Sequence, residues 1–175
     1  MQPGGALTSV RGGSAAGSVT DERRDGQMRI SDILRHKATT STGSSATVVT
    51  ITPSGAVTEL LAALAEHSIG ALVVVDGDTV VGIVSERDVV RRLNDRGAAI
   101  LDATVADIMT SPVLSCSSQD SVEGVASTMT ERRIRHMPVI DDGTLEGIVT
   151  IGDVVLSRTR QLEQDRHQLE QYITG

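Results

Sequence analysis

The chain has 175 residues, 39% hydrophobic and 22% charged, with a formal net charge of −7. That length holds one globular unit or two small units sharing a core, and the balance excludes wholesale disorder, collagen-like chains and a protein-wide polyanion-binding surface. A single Cys116, no Phe or Trp, and a longest purely apolar run of five residues (71–75) exclude a disulfide framework, a cysteine zinc site, general base stacking and a membrane-spanning helix.

Residues 1–27 are rich in Gly, Ser and Thr and show neither helical nor strand period, so a disordered leader is expected rather than a signal peptide. A short lead-in helix is expected over residues 30–34. A Ser/Thr/Gly loop follows over residues 38–47, and then a β run over 48–52. An amphipathic helix begins near Ala56, with Val57, Leu60, Leu61 and Leu64 at helical spacing. Two β runs, residues 71–75 and 80–84, flank the turn-prone Asp76-Gly77-Asp78, and a further helix starts at Ser85. The same order then returns. It comprises a lead-in over 105–109, a β run over 113–117, and a helix from Ser121 presenting Val122, Val125, Ala126 and Met129. Two β runs (137–140 and 145–149) and a helix from Thr150 complete it.

The return is a duplication. A shift of 65 residues superposes twelve identities on the 34 positions from 57 to 90 without a gap, among them Gly82-Ile83-Val84 on Gly147-Ile148-Val149. Nearer the N-terminus the shift becomes 75, where Asp32-Ile33 meets Asp107-Ile108, so the first copy holds ten extra residues within 38–47. Each copy reads β-α-β-β-α, an α+β unit too small to bury a good core alone. The two are therefore expected to pack, sheet against sheet, as a pseudo-twofold pair. The expected organisation is a leader (1–27), a first repeat (28–98), a second repeat (99–160) and a C-terminal helix (161–175). Val155, Leu162, Leu169 and Ile173, with Tyr172, form a near-heptad apolar stripe on the last helix suited to packing against a partner module.

The element order, the Asp107-Ile108-Met109 lead-in, the Arg135-His136-Met137-Pro138-Val139 run and the paired Gly-Ile-Val-Ser/Thr-x-x-Asp segments resemble a tandem CBS-domain pair, or Bateman module. The resemblance covers residues 28–160, and the segment 151–155 with the ending 171–175 looks most like stand-alone pairs without an attached enzyme or channel. It implies an adenine nucleotide in the cleft between the repeats, AMP first, with ADP, ATP or NAD(H) as alternatives. It also implies that two modules assemble into a disc-shaped homodimer.

The site residues admit two readings each. Ser85-x-x-Asp88 and Thr150-x-x-Asp153 are helix-capping patterns, and an Asp there also suits a ribose diol, for which it accepts hydrogen bonds. The glycines three residues earlier, Gly82 and Gly147, permit close backbone approach. Arg132 and Arg133 suit a solvated helix C-terminus or an anion. Arg135 and His136 stand at the helix-to-strand junction that in CBS pairs faces phosphate, and Arg offers a bidentate fork. His136, with an unperturbed pKa of about 6.5, would add anion affinity under mildly acidic conditions. The first copy has Gly70 and Ala71 at these positions, so one phosphate-rich and one poorer cleft are expected. Val49, Ile51, Val113, Ile69 and Ile134 are candidates either for plain core or for the adenine wall. Cys116 reads as a buried small hydrophobe on a strand, and His36, His67 and His167 have no metal-ligand spacing. The functional expectation is a non-enzymatic, cytoplasmic, dimeric nucleotide sensor acting on an unidentified partner protein. No membrane is expected as a partner, and nucleic acid is disfavoured. A constitutive dimeric scaffold with vestigial sites is the alternative.

Overall fold

A computed structural model describes residues 28–40 and 48–174. The expected leader and most of the ten-residue insertion therefore lie outside the described residues. The first half runs α1 (Ile30–Thr40), β1 (Thr50–Ile51), α2 (Val57–His67), β2 (Ala71–Asp76), β3 (Thr79–Ser85) and α3 (Glu86–Arg96). Two 3₁₀ segments, Gly97–Asp102 and Val105–Asp107, lead to α4 (Val122–Arg132), β4 (His136–Asp141), β5 (Thr144–Thr150) and α5 (Ile151–Thr174). This is an α+β fold of two repeats with a C-terminal helix.

The duplication is reproduced in detail. β2 and β3 form a hairpin with a register shift at Val74/Val75, and β4 and β5 repeat it at Val139/Ile140. In the second hairpin both central residues, Asp142 and Gly143, have positive φ, as a type I′ turn requires. Both amphipathic helices end on a left-handed residue, Ser68 (φ 52°) and Arg133 (φ 55°), at equivalent positions. α4 starts on a proper cap, the Ser121 side chain accepting from Gly124 N at 3.1 Å.

Two expectations are corrected. The first lead-in helix is longer than residues 30–34: α1 continues through Ala38 and Thr39 to Thr40, converting the start of the expected loop into helix. The β run over 113–117 is not a strand. Only Cys116 pairs, its N–H donating to Pro138 O at 3.0 Å and its carbonyl accepting from Ile140 N at 2.8 Å. Ser117 and Ser118 turn away from the ladder to the carboxylate of Asp141, at 2.7 and 3.0 Å, so no strand can continue through them. The expected C-terminal helix is present, as the continuation of the helix expected from Thr150 in one α5 of 24 residues.

The two cores exchange their lead-in segments. Ile30 and Ile33 of α1 are buried with Val122, Val125, Met129, Met137, Val139, Val149 and Val154 of the second half. Val105 and Ile108, which precede the second half, are buried with Val57, Leu60, Leu72, Val74, Val84 and Val89 of the first. The backbone repeats this reciprocity. Val122 N donates to Met28 O (3.0 Å) and Ile30 N to Asp120 O (3.0 Å). At the equivalent positions Val57 N donates to Ala103 O (3.1 Å) and Val105 N to Gly55 O (2.8 Å). Lead-in and body are thus joined crosswise, by apolar burial and by the same pair of hydrogen bonds on each side.

Candidate functional site

Ser85 ends β3 in extended geometry and caps α3. Its N–H and Oγ both donate to Asp88 Oδ2, at 2.8 and 2.6 Å. Thr150 does the same before α5, its N–H and Oγ1 donating to Asp153 Oδ2 at 2.8 and 2.9 Å, while Asp153 N donates back to Thr150 Oγ1 at 3.2 Å. The capping reading therefore holds for both pairs. It leaves a second acceptor oxygen on each carboxylate, so capping and ligand contact are compatible.

A cleft of about 450 Å³ opens beside the first pair. Ser85, Glu86, Arg87, Asp88 and Arg91 line it from the start of α3. Arg132, Arg133, Ile134, Arg135 and His136 line it from the end of α4 to the start of β4, and Gly70, Ile83 and Thr110 complete it. The left-handed turn at Arg133 aims its carbonyl at α3, where Arg87 Nη1 donates to it at 3.1 Å and ties the two walls together. The cleft thus gathers five arginines and two acids, Glu86 and Asp88, in a chain that is acidic overall. The basic cluster of the second half serves the Ser/Asp pair of the first, through tertiary pairing that linear order does not show.

A second cleft, of about 700 Å³, lies beside Thr150. Val48, Val49, Ile69, Ala71, Leu34 and Ile148 give it an apolar wall, with Arg35, Lys37, Glu146 and His136 as its charged or titratable residues. Here the carboxylate is already engaged. Lys37 Nζ, brought in by α1, donates to Asp153 Oδ2 at 2.9 Å and to Ile148 O at 3.1 Å. Burial by itself would raise the Asp153 carboxyl, but hydrogen bonds from Lys37 and Thr150 outweigh it and hold the group below the usual aspartate value. The two clefts are chemically unequal.

His136 lines both clefts and stands against Gly70, whose missing Cβ would lie 3.2 Å from the imidazole. Burial pulls its pKa below the ordinary imidazole value, and Arg135 and Lys37 push the same way against Glu86 and Asp153. This shift works against the expected anion-binding imidazolium, because it favours the neutral ring.

Among the adenine candidates, Ile134 lines the first cleft, and Val49 and Ile69 line the second. Ile51 packs on the core of the first half, and Val113 is half-buried and lines neither cleft. Cys116 is buried, its thiol pushed up to about 12, chiefly by burial and then by Asp120 and Asp141. Gly82 and Gly147 do permit close approach, but of the exchanged lead-ins. A Cβ would lie 2.8 Å from Met109 Sδ at Gly82 and 2.6 Å from Leu34 Cδ2 at Gly147. Sequence reasoning missed Arg87, Arg91 and Lys37. The first two flank Asp88 at helical spacing, and Lys37 is the sole lysine of the chain, so each carried a weak signal.

The model of the CBS domain family matches residues 44–95 and 105–158. The CBS domain-containing protein CBSX3, mitochondrial, of Arabidopsis thaliana is 32% identical over 151 residues, 83% of this chain and 72% of its own length. The crystal structure of a CBS-domain-containing protein from Agrobacterium tumefaciens superposes with a TM-score of 0.68 at 37% identity, covering 75% of this chain and 99% of that one. The CBS domain pair of protein MJ0100, crystallised with 5′-methylthioadenosine and S-adenosyl-L-methionine, superposes with a TM-score of 0.65 at 26% identity, covering 77% and 98%. With two matched repeats, a superposable fold and crosswise clefts in place, the chain belongs to the CBS domain family, as a tandem pair.

Proposed function

We propose that the chain is a non-enzymatic regulatory module that binds an adenine nucleotide in the first cleft and acts as a homodimer on a partner protein. The observation that carries this reading is a cleft of about 450 Å³ that Asp88 shares with five arginines, Arg132, Arg133 and Arg135 on the wall opposite it and Arg87 and Arg91 on its own helix. A carboxylate accepts hydrogen bonds from a ribose diol, and guanidinium groups grip phosphate. Such a volume lies within the range of small-molecule sites. The adenosine-containing ligands of the MJ0100 pair support the assignment of ligand class. AMP is the first candidate, with ADP, ATP and NAD(H) as alternatives. Dimerisation is supported by apolar side chains left exposed on the last helix of each half, Val90 and Leu93 on α3, and Val155, Leu162 and Leu169 on α5.

Calorimetry with AMP tests the reading. Binding by the wild type should weaken by about 1.5–3 kcal/mol in Asp88→Ala, the scale for a hydrogen bond to a charged group. Unchanged affinity in a folded variant removes Asp88 from the site. If saturating AMP, ADP, ATP and NADH all leave Tm unmoved, the constitutive scaffold is the better description, because a ligand bound only by the native state must raise it.

A further inference from the structure

In both Ser/Thr-x-x-Asp pairs the backbone N–H and the hydroxyl of the first residue donate to the Asp Oδ2, yet only one carboxylate lines its cleft. Asp88 lines the first cleft. The second cleft is lined by Thr150 and Lys37, whereas Asp153 lines, again with Lys37, a smaller hollow of about 330 Å³ between α1 and α5. The ammonium therefore stands between the second cleft and its carboxylate, 2.9 Å from Asp153 Oδ2. At the equivalent position of the other lead-in, 75 residues on, the chain has Pro112, which carries no donor. Lys37 is held there by α1, which is anchored through the burial of Ile33 and the seating of Leu34 against Gly147.

We propose that Lys37 decides which cleft accepts a ribose: by occupying Asp153 it closes the second cleft to nucleosides and leaves Asp88 as the single ribose acceptor. The proposal rests on the reading of the clefts as nucleotide sites and adds their occupancy. A nucleoside entering the second cleft must first displace the ammonium. A pair closed in nine molecules of ten lowers the apparent affinity about tenfold, by the fraction of competent protein.

Equilibrium dialysis and calorimetry with AMP on the full chain test it. Wild type should bind one equivalent per chain. Lys37→Met, which keeps the aliphatic stem, should bind a second with affinity raised about tenfold or more. Lys37→Gln serves as a second variant should the first fold poorly, judged by Tm without ligand. The double variant Asp88→Ala/Lys37→Met should retain one equivalent, now in the second cleft. Two equal sites in wild type, or no added site in either Lys37 variant of a protein that binds AMP, overturns the proposal alone. Absence of AMP binding in wild type and every variant overturns both it and the nucleotide reading.

Discussion

Arg135 and His136 are neighbours in sequence with opposite surroundings. Arg135 is exposed on the rim of the first cleft, while His136 is half-buried where the two clefts meet, and burial lowers its pKa. On the proposed reading, phosphate recognition at this junction rests chiefly on the guanidinium, which keeps its charge. Arg135→Ala should reduce ATP and ADP affinity by about 1–3 kcal/mol while changing adenosine affinity little. Added salt should weaken the wild-type phosphate contribution more than the adenosine contribution, since the cleft is open to solvent. Calorimetry on a variant shown by its Tm to be folded checks this, and equal loss for adenosine and ATP would make Arg135 a shaper of the cleft. At this scale Ser85, Asp88, Thr150, Asp153 and the 132–136 cluster were legible, because capping chemistry and clustered charge are local signals. The partners of those residues were not. Arg87 meets Arg133 across 46 positions and Lys37 meets Asp153 across 116, and only folding brings either together.

The last helices of the two repeats end differently for a local reason. α3 stops at Gly97, whose φ of 60° and ψ of −150° fall where an L side chain rarely goes. Sixty-five residues later the chain has Leu162 instead, and α5 runs on. Among the described side chains Ser157 is the last buried one of α5, and beyond it Leu162 and Leu169 stand exposed, 59% and 65%, seven residues apart on nearly the same face. Deleting residues 161–175 should accordingly weaken the proposed dimer while leaving each module folded. Light scattering over a dilution series reads this directly, and an equally stable truncated dimer would assign the stripe another task. The expected contributions of Tyr172 and Ile173 fall on side chains outside the described residues. Helix starts and hairpins were readable from period and turn chemistry. The lost strand at 113–117 was not, since its cause is the Asp141 carboxylate, reached only across the fold.

For the whole molecule, the exchange of lead-ins ties each half's core to the other half's chain. Ile30 is fully buried, and the core it fills belongs to the second half. Ile30→Ala should destabilise the protein by about 2–5 kcal/mol, the range for truncating a large buried aliphatic. Hydrogen exchange should show protection lost first in β4, β5 and α4, far downstream of Ile30 in the chain, rather than in β2 and β3. Faster exchange confined to the first half would contradict the exchanged packing. The shift from 65 to 75 showed where the lead-ins differ in spacing, but self-comparison aligns copies without saying which lead-in docks on which body.

That crossing bears on what a solitary copy of this unit would be. A chain holding one repeat would expose, along the groove that Ile30 and Ile33 or Val105 and Ile108 fill, an apolar trough its own arm reaches away from. Another such chain could fill it, and would offer its own trough in return. The tandem is in this sense an arm-swapped dimer whose two members have been joined end to end. The join frees the two members to diverge, so that one trough's arm could acquire a lysine while its twin kept a proline.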